Sequence, residues 1–333
     1  SNVYKDAVIG YYDRLSNVFQ YPNTYAAYLI GLLAMNILTL FKTSRWYYKI
    51  LHSLMLFPIL ASFFLTDSRG GLITFALIFV ILFIFMDWKR QICTFVIITL
   101  SSIMSLLVIE RLNNWKYFVL ISIISGIVLF FLHSIIMRYL SKFNRSKFYI
   151  SLILPSFILM LGGFVISTSL LKNPIMDILP ERIRLLNISN DFARNIFFSD
   201  AIEIIKNYPL FGAGGGAWSI LYPHYQSYPY ISNQVHSFFL QYTIESGIIG
   251  FLILICLLFY LGWLFIRQLW IQKFTENHYT SLFFFVIPAA FLTHSVIDFD
   301  MTFVYVGTLV FLCLGGMVSN IDFPIIKIKH VGI

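Results

Sequence analysis

The chain has 333 residues, of which 59% are hydrophobic and 11% are charged, and its formal net charge is +8. A soluble domain carries about 25% charged residues, so this composition excludes an ordinary globular protein and predicts a membrane protein with several spans. The three cysteines, Cys93, Cys256 and Cys313, lie far apart in apolar runs. Their spacing argues against a disulfide framework and against a structural metal site.

Several apolar stretches are long enough to cross a bilayer, which takes roughly 20 helical residues. None alternates polar and apolar residues as the strands of an outer-membrane barrel do, so the spans are predicted to be helices. The fold class is therefore an all-α, polytopic transmembrane bundle. The nine predicted spans are residues 22–41, 46–65, 70–87, 91–109, 117–137, 148–171, 247–266, 279–296 and 302–318.

The chain shows no internal repeat and no low-complexity linker, so we treat residues 1–333 as a single membrane domain. We expect six spans in residues 1–171, one long loop in 172–246 and three spans in 247–333. That loop contains an amphipathic stretch, Asp191 to Tyr208, which predicts a helix lying near the membrane surface. Its apolar residues are Phe192, Ile196, Ile202 and Ile205.

The connections between the spans divide the basic residues unequally. The connections after the first, third, fifth, seventh and ninth spans hold 13 Lys and Arg against 3 Asp and Glu, a net charge of +10. The remaining extramembrane segments hold 10 against 12, a net charge of −2. The positive-inside rule places the first set in the cytoplasm. The basic charge thus indicates topology and not a nucleic-acid partner. Residues 1–21 fall outside, so we expect further spans upstream of Ser1.

Four residues at the predicted outer side suggest chemistry: Arg14, Arg69, Arg194 and His236. Arginine binds phosphate oxygens in a bidentate manner, and a neutral histidine can take a proton from a hydroxyl near pH 7. Together they predict a transferase that acts on a phosphorylated lipid. Structural alternatives stay open: an interfacial anchor for Arg69, a solvated helix face for Arg194 and a satisfied interfacial histidine for His236.

The segment that follows His236 carries two more polar residues, Gln241 and Glu245. If residues 236–245 form one straight helix, Glu245 lies about 180° around it from His236. A direct pair of the two is therefore disfavoured, and we expect Glu245 to cap this helix or to lock it against another span.

A glycine run precedes that segment. Residues 212–216 lack the Lys-Ser/Thr pair and the preceding strand of a P-loop, which argues against nucleotide binding. We expect Gly214 and Gly216 to let the loop turn tightly or approach a partner closely.

Three stretches carry a family resemblance: "RLSNVFQYPNTYAAYL" from Arg14, "DSRGGL" from Asp67, and "NYPLFGAGGGAW" with the later "NQVHSFFLQYTIESGIIGFL". Together they resemble the O-antigen ligase and polymerase family, from residue 14 to about residue 300. Two positions depart from the pattern of that family. Ser237 stands where the family has Asn, and Gln234 stands where many ligases have a second His.

The resemblance implies a GT-C-like membrane glycosyltransferase. Such an enzyme takes a glycan from undecaprenyl pyrophosphate at the outer face of the bacterial cytoplasmic (inner) membrane. It implies His236 as the catalytic base and Arg69 and Arg194 as pyrophosphate ligands, with Arg14 a further candidate. The supporting residues that we expect near this site are Asn233, Gln241, Glu245, His294, Gly214 and Gly216.

The resemblance leaves the acceptor open between lipopolysaccharide core, a growing capsular or cell-wall polysaccharide and a protein hydroxyl, with a chain-length regulator as a further partner. We expect an inverting displacement without cofactor or metal, because no acidic pair with metal-ligand spacing is visible on the outer side. Three alternatives to this hypothesis are a transporter or flippase of lipid-linked sugars, a non-catalytic scaffold and a channel. The spans are too uniformly apolar for a channel, and a transporter usually shows repeats.

Overall fold

The computed structural model describes residues 9–10, 14–109, 115–143, 191–271 and 276–319. Most of the described residues are helical, and the β-structure among them is a pair of two-residue antiparallel strands, β1 (Ile9–Gly10) and β2 (Arg14–Leu15). The protein is thus an all-α polytopic membrane bundle, as predicted. The predicted span 148–171 lies outside the described residues.

The other eight predicted spans coincide with helices. Five helices, α1, α2, α4, α5 and α8, are long and apolar enough to cross a membrane, and α3 and α10 are shorter apolar helices. The helices in chain order are α1 (Pro22–Lys42), α2 (Trp46–Leu65), α3 (Arg69–Phe85), α4 (Trp88–Ile109), α5 (Trp115–Ser141), α6 (Asp191–Asn207), α7 (Ala217–Tyr225), α8 (Phe238–Ile271), α9 (Glu276–His294) and α10 (Val304–Ser319).

Helix α9 packs mainly on α1 and α10, with α3 beside it, while α2 packs on α1, α4 and α5. Small residues let these helices approach closely, which is a common basis of helix association in lipid. A Cβ atom at Gly31 of α1 would lie 3.0 Å from Ile287 Cδ1 of α9. A Cβ atom at Gly126 of α5 would lie 2.5 Å from the Leu54 Cα atom of α2. Both glycines are therefore required by close helix packing.

Polar contacts define two ends of the bundle. At one, which we call the site end, Thr24 Oγ1 donates to Asp300 Oδ1 at 2.6 Å, joining the start of α1 to the α9–α10 loop. At the other, which we call the basic end, Lys42 Nζ donates to Thr280 Oγ1 at 2.8 Å. These contacts fix which helix termini lie together, and both ends of α1 and of α9 take part.

Helix α6 packs on α7 and α8 and forms a small second core with them. Ala201 and Ile204 are fully buried there, whereas Ile202 is 47% exposed. The predicted helix is thus present, and its place near the membrane surface stays a prediction. Asp200 is buried, and it accepts hydrogen bonds from the Ser227 amide at 3.2 Å and the Tyr230 hydroxyl at 2.7 Å.

Helix α8 is broken at Gly247, whose φ of 70° and ψ of −177° are not helical. The segment 209–216 packs into this break. The amide of Ile248 donates to the Pro209 carbonyl at 2.8 Å, and the amide of Ala213 donates to the Ile244 carbonyl at 2.8 Å. A Cβ atom at Gly212 would lie 2.5 Å from the Gly247 nitrogen. Helix α8 begins at Phe238, so the condition of one straight helix over 236–245 is not met at His236.

Candidate active site

Asp298 lies at the centre of the site, where several polar side chains surround its carboxylate. It lies in the α9–α10 loop, and its side chain is 1% exposed. Its carboxylate accepts hydrogen bonds from Tyr21 Oη at 3.0 Å and from Asn23 Nδ2 at 2.7 Å. It also lies 3.6 Å from Arg194 Nη2 and 3.7 Å from His236 Nδ1. One buried carboxylate thus joins two of the predicted site residues.

The surroundings of Asp298 keep it ionised. Burial alone would raise the pKa of this carboxyl, but the imidazole of His236 and the positive charges of His294 and Arg194 hold that pKa below its ordinary value. Burial and the neighbouring Asp298 carboxylate raise the pKa of the Tyr21 hydroxyl, so that Tyr21 remains a neutral hydrogen-bond donor. The centre of the site is therefore a buried anion facing two basic side chains.

His236 lies just before α8 in a left-handed backbone conformation, with a φ of 60°. Such a conformation is costly for a residue other than glycine and persists only where the surroundings fix it. Its ring stacks on Phe197 at 5.7 Å between centroids and meets the edge of Phe299 at 5.1 Å. The side chain is 27% exposed, while Nδ1 is buried beside Asp298. Nε2 is therefore the ring nitrogen left for a substrate.

The α9–α10 loop also holds the backbone next to His236. The amide of Phe238, the first residue of α8, donates to the carbonyls of Ser295 at 3.0 Å and Asp298 at 2.9 Å. The first amides of a helix have no partner within that helix, so these carbonyls cap α8. The same loop thus positions both the side chain of His236 and the start of the helix after it.

Arg194 and Arg14 both reach this end of the bundle, but they differ in their partners. The Arg194 side chain, on α6, is 30% exposed and pairs with Asp298. Arg14 donates from Nε to the Thr66 carbonyl at 2.7 Å and from Nη2 to Asn23 Oδ1 at 2.6 Å. Burial lowers the pKa of the Arg14 guanidinium, which Asp67 opposes. These contacts favour a positioning role for Arg14 through Asn23.

Arg69 is the first residue of α3, where Ser68 Oγ caps the helix by accepting from the Gly71 amide at 3.0 Å. The next residue, Gly70, packs on His294, and a Cβ atom there would lie 2.9 Å from His294 Nε2. The structure therefore brings the start of the Arg69 helix to the site end.

His294, expected as a supporting residue, forms a second buried pair. Its Nδ1 atom lies 2.5 Å from Asp300 Oδ2, and neither side chain is exposed. Thr24 donates to the other carboxylate oxygen of Asp300. This pair ties the α9–α10 loop to α1.

The remaining supporting residues lie along the glycine run. Glu245 Oε1 accepts from the Gly216 amide at 3.2 Å and from Gln241 Nε2 at 3.4 Å. Glu245 thus joins α8 to the glycine segment through the amide that precedes α7. Gly214 and Gly216 are exposed, with φ values of 92° and 74°. Asn233 is exposed.

Asp298 as the shared partner of His236 and Arg194 was missed by sequence reasoning, as were Asp300, Phe197 and Phe299. The signal available in the sequence was the pair of carboxylates Asp298 and Asp300 in an otherwise apolar segment.

Several buried polar atoms near His236 have no hydrogen-bond partner among the described residues: Gln234 Oε1, Gln241 Oε1, His294 Nε2 and Ser295 Oγ. Buried polar groups are normally satisfied, so such atoms suit a site that a polar ligand completes.

A family model described as O-antigen ligase matches residues 54–255, more than half of the chain. The matched range includes Arg69, Arg194 and His236, and Asp298 follows it. No curated protein and no solved structure matches the chain. Together with the helical membrane bundle, this match shows that the chain belongs to the O-antigen ligase family.

Proposed function

We propose that the protein transfers a glycan from an undecaprenyl-pyrophosphate carrier to an acceptor hydroxyl at the outer face of the bacterial cytoplasmic membrane. The observation that carries the proposal is the buried Asp298 carboxylate, which lies 3.7 Å from His236 Nδ1 and 3.6 Å from Arg194 Nη2. A base and a phosphate-binding group are thereby held at one point. Family membership supports a transfer reaction at this point.

His236 is the general base in this proposal. The negative charge of Asp298, 3.7 Å from Nδ1, favours the tautomer that carries the proton on Nδ1, so that Nε2 carries the free lone pair. Nε2 takes the proton of the acceptor hydroxyl as its oxygen attacks the anomeric carbon. The bond from that oxygen to the carbon forms while the bond from the carbon to the carrier pyrophosphate breaks. The electron pair leaves with the pyrophosphate, the anomeric centre inverts, and the proton passes from His236 to water.

Arg194 and Arg69 neutralise the charge that develops on the leaving pyrophosphate. Guanidinium groups bind phosphate oxygens strongly and in a bidentate manner, and fixed charges of this kind are a large catalytic contribution in a site shielded from water. The 3.6 Å separation of Arg194 from Asp298 exceeds a hydrogen bond. Arg194 can therefore turn to the pyrophosphate while Asp298 retains Tyr21 and Asn23. Arginine charge takes the place of a metal ion in this mechanism.

The proposed orientation of the protein in the membrane is based on the distribution of charge. The basic end of the bundle carries Lys42, Lys89 and Arg90, which the positive-inside rule places in the cytoplasm. His236 and Asp298 lie at the opposite end and therefore face outward, where the lipid-linked glycan awaits transfer.

The test uses purified protein in lipid vesicles with the host's undecaprenyl-pyrophosphate glycan. Release of carrier pyrophosphate and glycan length are followed for the wild type, His236→Ala and His224→Ala. His224 is an exposed histidine of α7 and serves as the matched control. We expect His236→Ala to abolish turnover and His224→Ala to preserve it. Equal activity of His236→Ala and the wild type would remove His236 as the base.

The same assay identifies the acceptor. A ladder of lengthening glycan without added acceptor indicates a polymerase, whereas carrier release only on adding a lipid or a protein indicates a ligase or a protein O-oligosaccharyltransferase. If a chelator stopped turnover and a divalent ion restored it, the metal-free mechanism would be wrong. A flippase would move the lipid across the vesicle membrane without carrier release.

A further inference from the structure

A cavity of about 270 Å³ lies at the basic end of the bundle, between the last turns of α1 and the first turns of α9. It is remote from His236, which lies at the opposite end. The residues that line it are Leu38, Thr39, Lys42, Tyr279, Thr280, Phe283 and Phe284.

The interior of this cavity is lined mostly by apolar atoms. Leu38, Phe283 and Phe284 contribute apolar side chains. The polar atoms of two other lining residues are bonded elsewhere: Thr39 Oγ1 donates to the Met35 carbonyl at 2.8 Å, and Tyr279 Oη donates to Asp87 Oδ2 at 3.0 Å. A buried water needs two to four polar partners. The cavity is therefore better suited to hydrocarbon than to water.

Lys42 gives the cavity a positive edge. Its ammonium is exposed and donates to Thr280 Oγ1 at 2.8 Å. Within the part of the chain that the structure describes, no carboxylate lies within ion-pair distance of it. An ammonium has three donors, so two remain for a ligand. By contrast, Arg90 nearby is paired with Asp87 at 3.2 Å and covers the Tyr279 ring at 4.0 Å.

We propose that this cavity binds one acyl chain of an anionic glycerophospholipid, whose phosphate is held by Lys42. Basic pockets between transmembrane helices are recognised sites for anionic lipid headgroups. The apolar interior takes the chain, and Lys42 at its edge takes the phosphate. The site does not depend on the proposed transfer reaction.

The bound lipid stabilises the contact between α1 and α9. These are the helices whose other ends carry Thr24 and His294. A ligand that binds only the folded state raises its stability in proportion to the logarithm of the ligand concentration. We therefore expect anionic lipid, added to the purified protein in detergent, to raise the unfolding temperature.

Native mass spectrometry of the purified full chain tests the proposal, with phosphatidylglycerol and phosphatidylcholine of identical acyl chains as probes. Three variants are compared with the wild type: Lys42→Gln, Lys142→Gln and Thr39→Phe. Lys142 is an exposed lysine at the end of α5, so Lys142→Gln removes the same charge away from the cavity. Thr39→Phe fills the cavity and leaves Lys42 in place.

We expect the wild type to retain phosphatidylglycerol at least several-fold better than phosphatidylcholine. Lys42→Gln is expected to remove this preference, Thr39→Phe to weaken retention of both lipids, and Lys142→Gln to behave as the wild type. Equal retention of both lipids by the wild type would overturn the proposal. So would an equal loss in both lysine variants, or full retention by Thr39→Phe. Lys42 is exposed, so its variant tests the proposal even if Thr39→Phe fails to fold.

Discussion

His294 Nδ1 and Asp300 Oδ2 lie 2.5 Å apart, and solvent reaches neither side chain. The pair links three segments at the site end, because Asp300 also accepts from Thr24 of α1, while Gly70 at the start of α3 packs on the imidazole of His294. The loop that carries Asp298 is thus fixed on both sides of that residue. The positions of His236 and Arg194 beside Asp298 depend on this fixation.

Asp300→Ala is expected to lower the free energy of unfolding by about 3–5 kcal/mol, because it leaves a buried imidazole and a buried hydroxyl without their acceptor. Denaturant unfolding in detergent measures the change. The control is Glu203→Ala, which breaks an exposed pair with Lys206 on α6 and should change stability by less than about 1 kcal/mol. Equal effects of the two variants would show that the buried pair does not fasten the loop.

Asp298→Asn should reduce turnover by about 10²–10⁴-fold, since a neutral amide does not hold Nδ1 of His236 protonated or stabilise the imidazolium that forms. We expect kcat to fall more than the affinity for the lipid donor, because in the proposed mechanism Arg69 still binds the pyrophosphate. Steady-state kinetics of the purified variant in lipid checks this. A variant with unchanged kcat would remove Asp298 from the mechanism.

Low pH should destabilise the wild type because it protonates the buried carboxylate of Asp298. The folded-state pKa of this carboxyl lies below its ordinary value, which is about 3.9 in an unfolded chain. Its ionised form thus contributes stability that is fully present above about pH 4 and is lost as the pH falls through the folded-state pKa. The difference in unfolding temperature between the wild type and Asp298→Asn, recorded from pH 6 down to pH 3, should narrow toward the acid end. Parallel curves would contradict the assignment.

Gly247→Ala should destabilise the protein by at least about 1–3 kcal/mol, because the positive φ at Gly247 strains any side chain and a Cβ atom would collide with the Leu210 carbonyl. Gly262→Ala in the same helix is the control. A Cβ atom there meets nothing within 4 Å, and alanine favours a helix by about 0.5–1 kcal/mol over glycine. Thermal unfolding of both variants measures the difference. A stabilised Gly247→Ala would mean that the break in α8 is not required.

The sequence predicts the helices well because hydrocarbon thickness and helix geometry fix the length of an apolar span, and the predicted stretch 46–65 coincides with α2. The resemblance singled out His236, which lies in one of the stretches that carry it, and implied Arg194 as a pyrophosphate ligand. Their meeting at Asp298 was not predictable, since it depends on the packing of α1, α6, α8 and a loop. The break at Gly247 was missed for a similar reason, because its amides are satisfied by a segment more than thirty residues earlier.

The break at Gly247 makes the first part of α8 a short helix that is held separately at its two ends. Residues 238–246 form a short helix whose first amide is held by the carbonyls of Ser295 and Asp298 and whose last carbonyls accept from the amides of Ala213 and Gly214. Both ends are therefore fastened to other segments, and His236 adjoins the first end. A substitution that displaces the glycine segment is therefore expected to strain the hydrogen bonds at the start of α8 and, with them, the position of His236 beside Asp298.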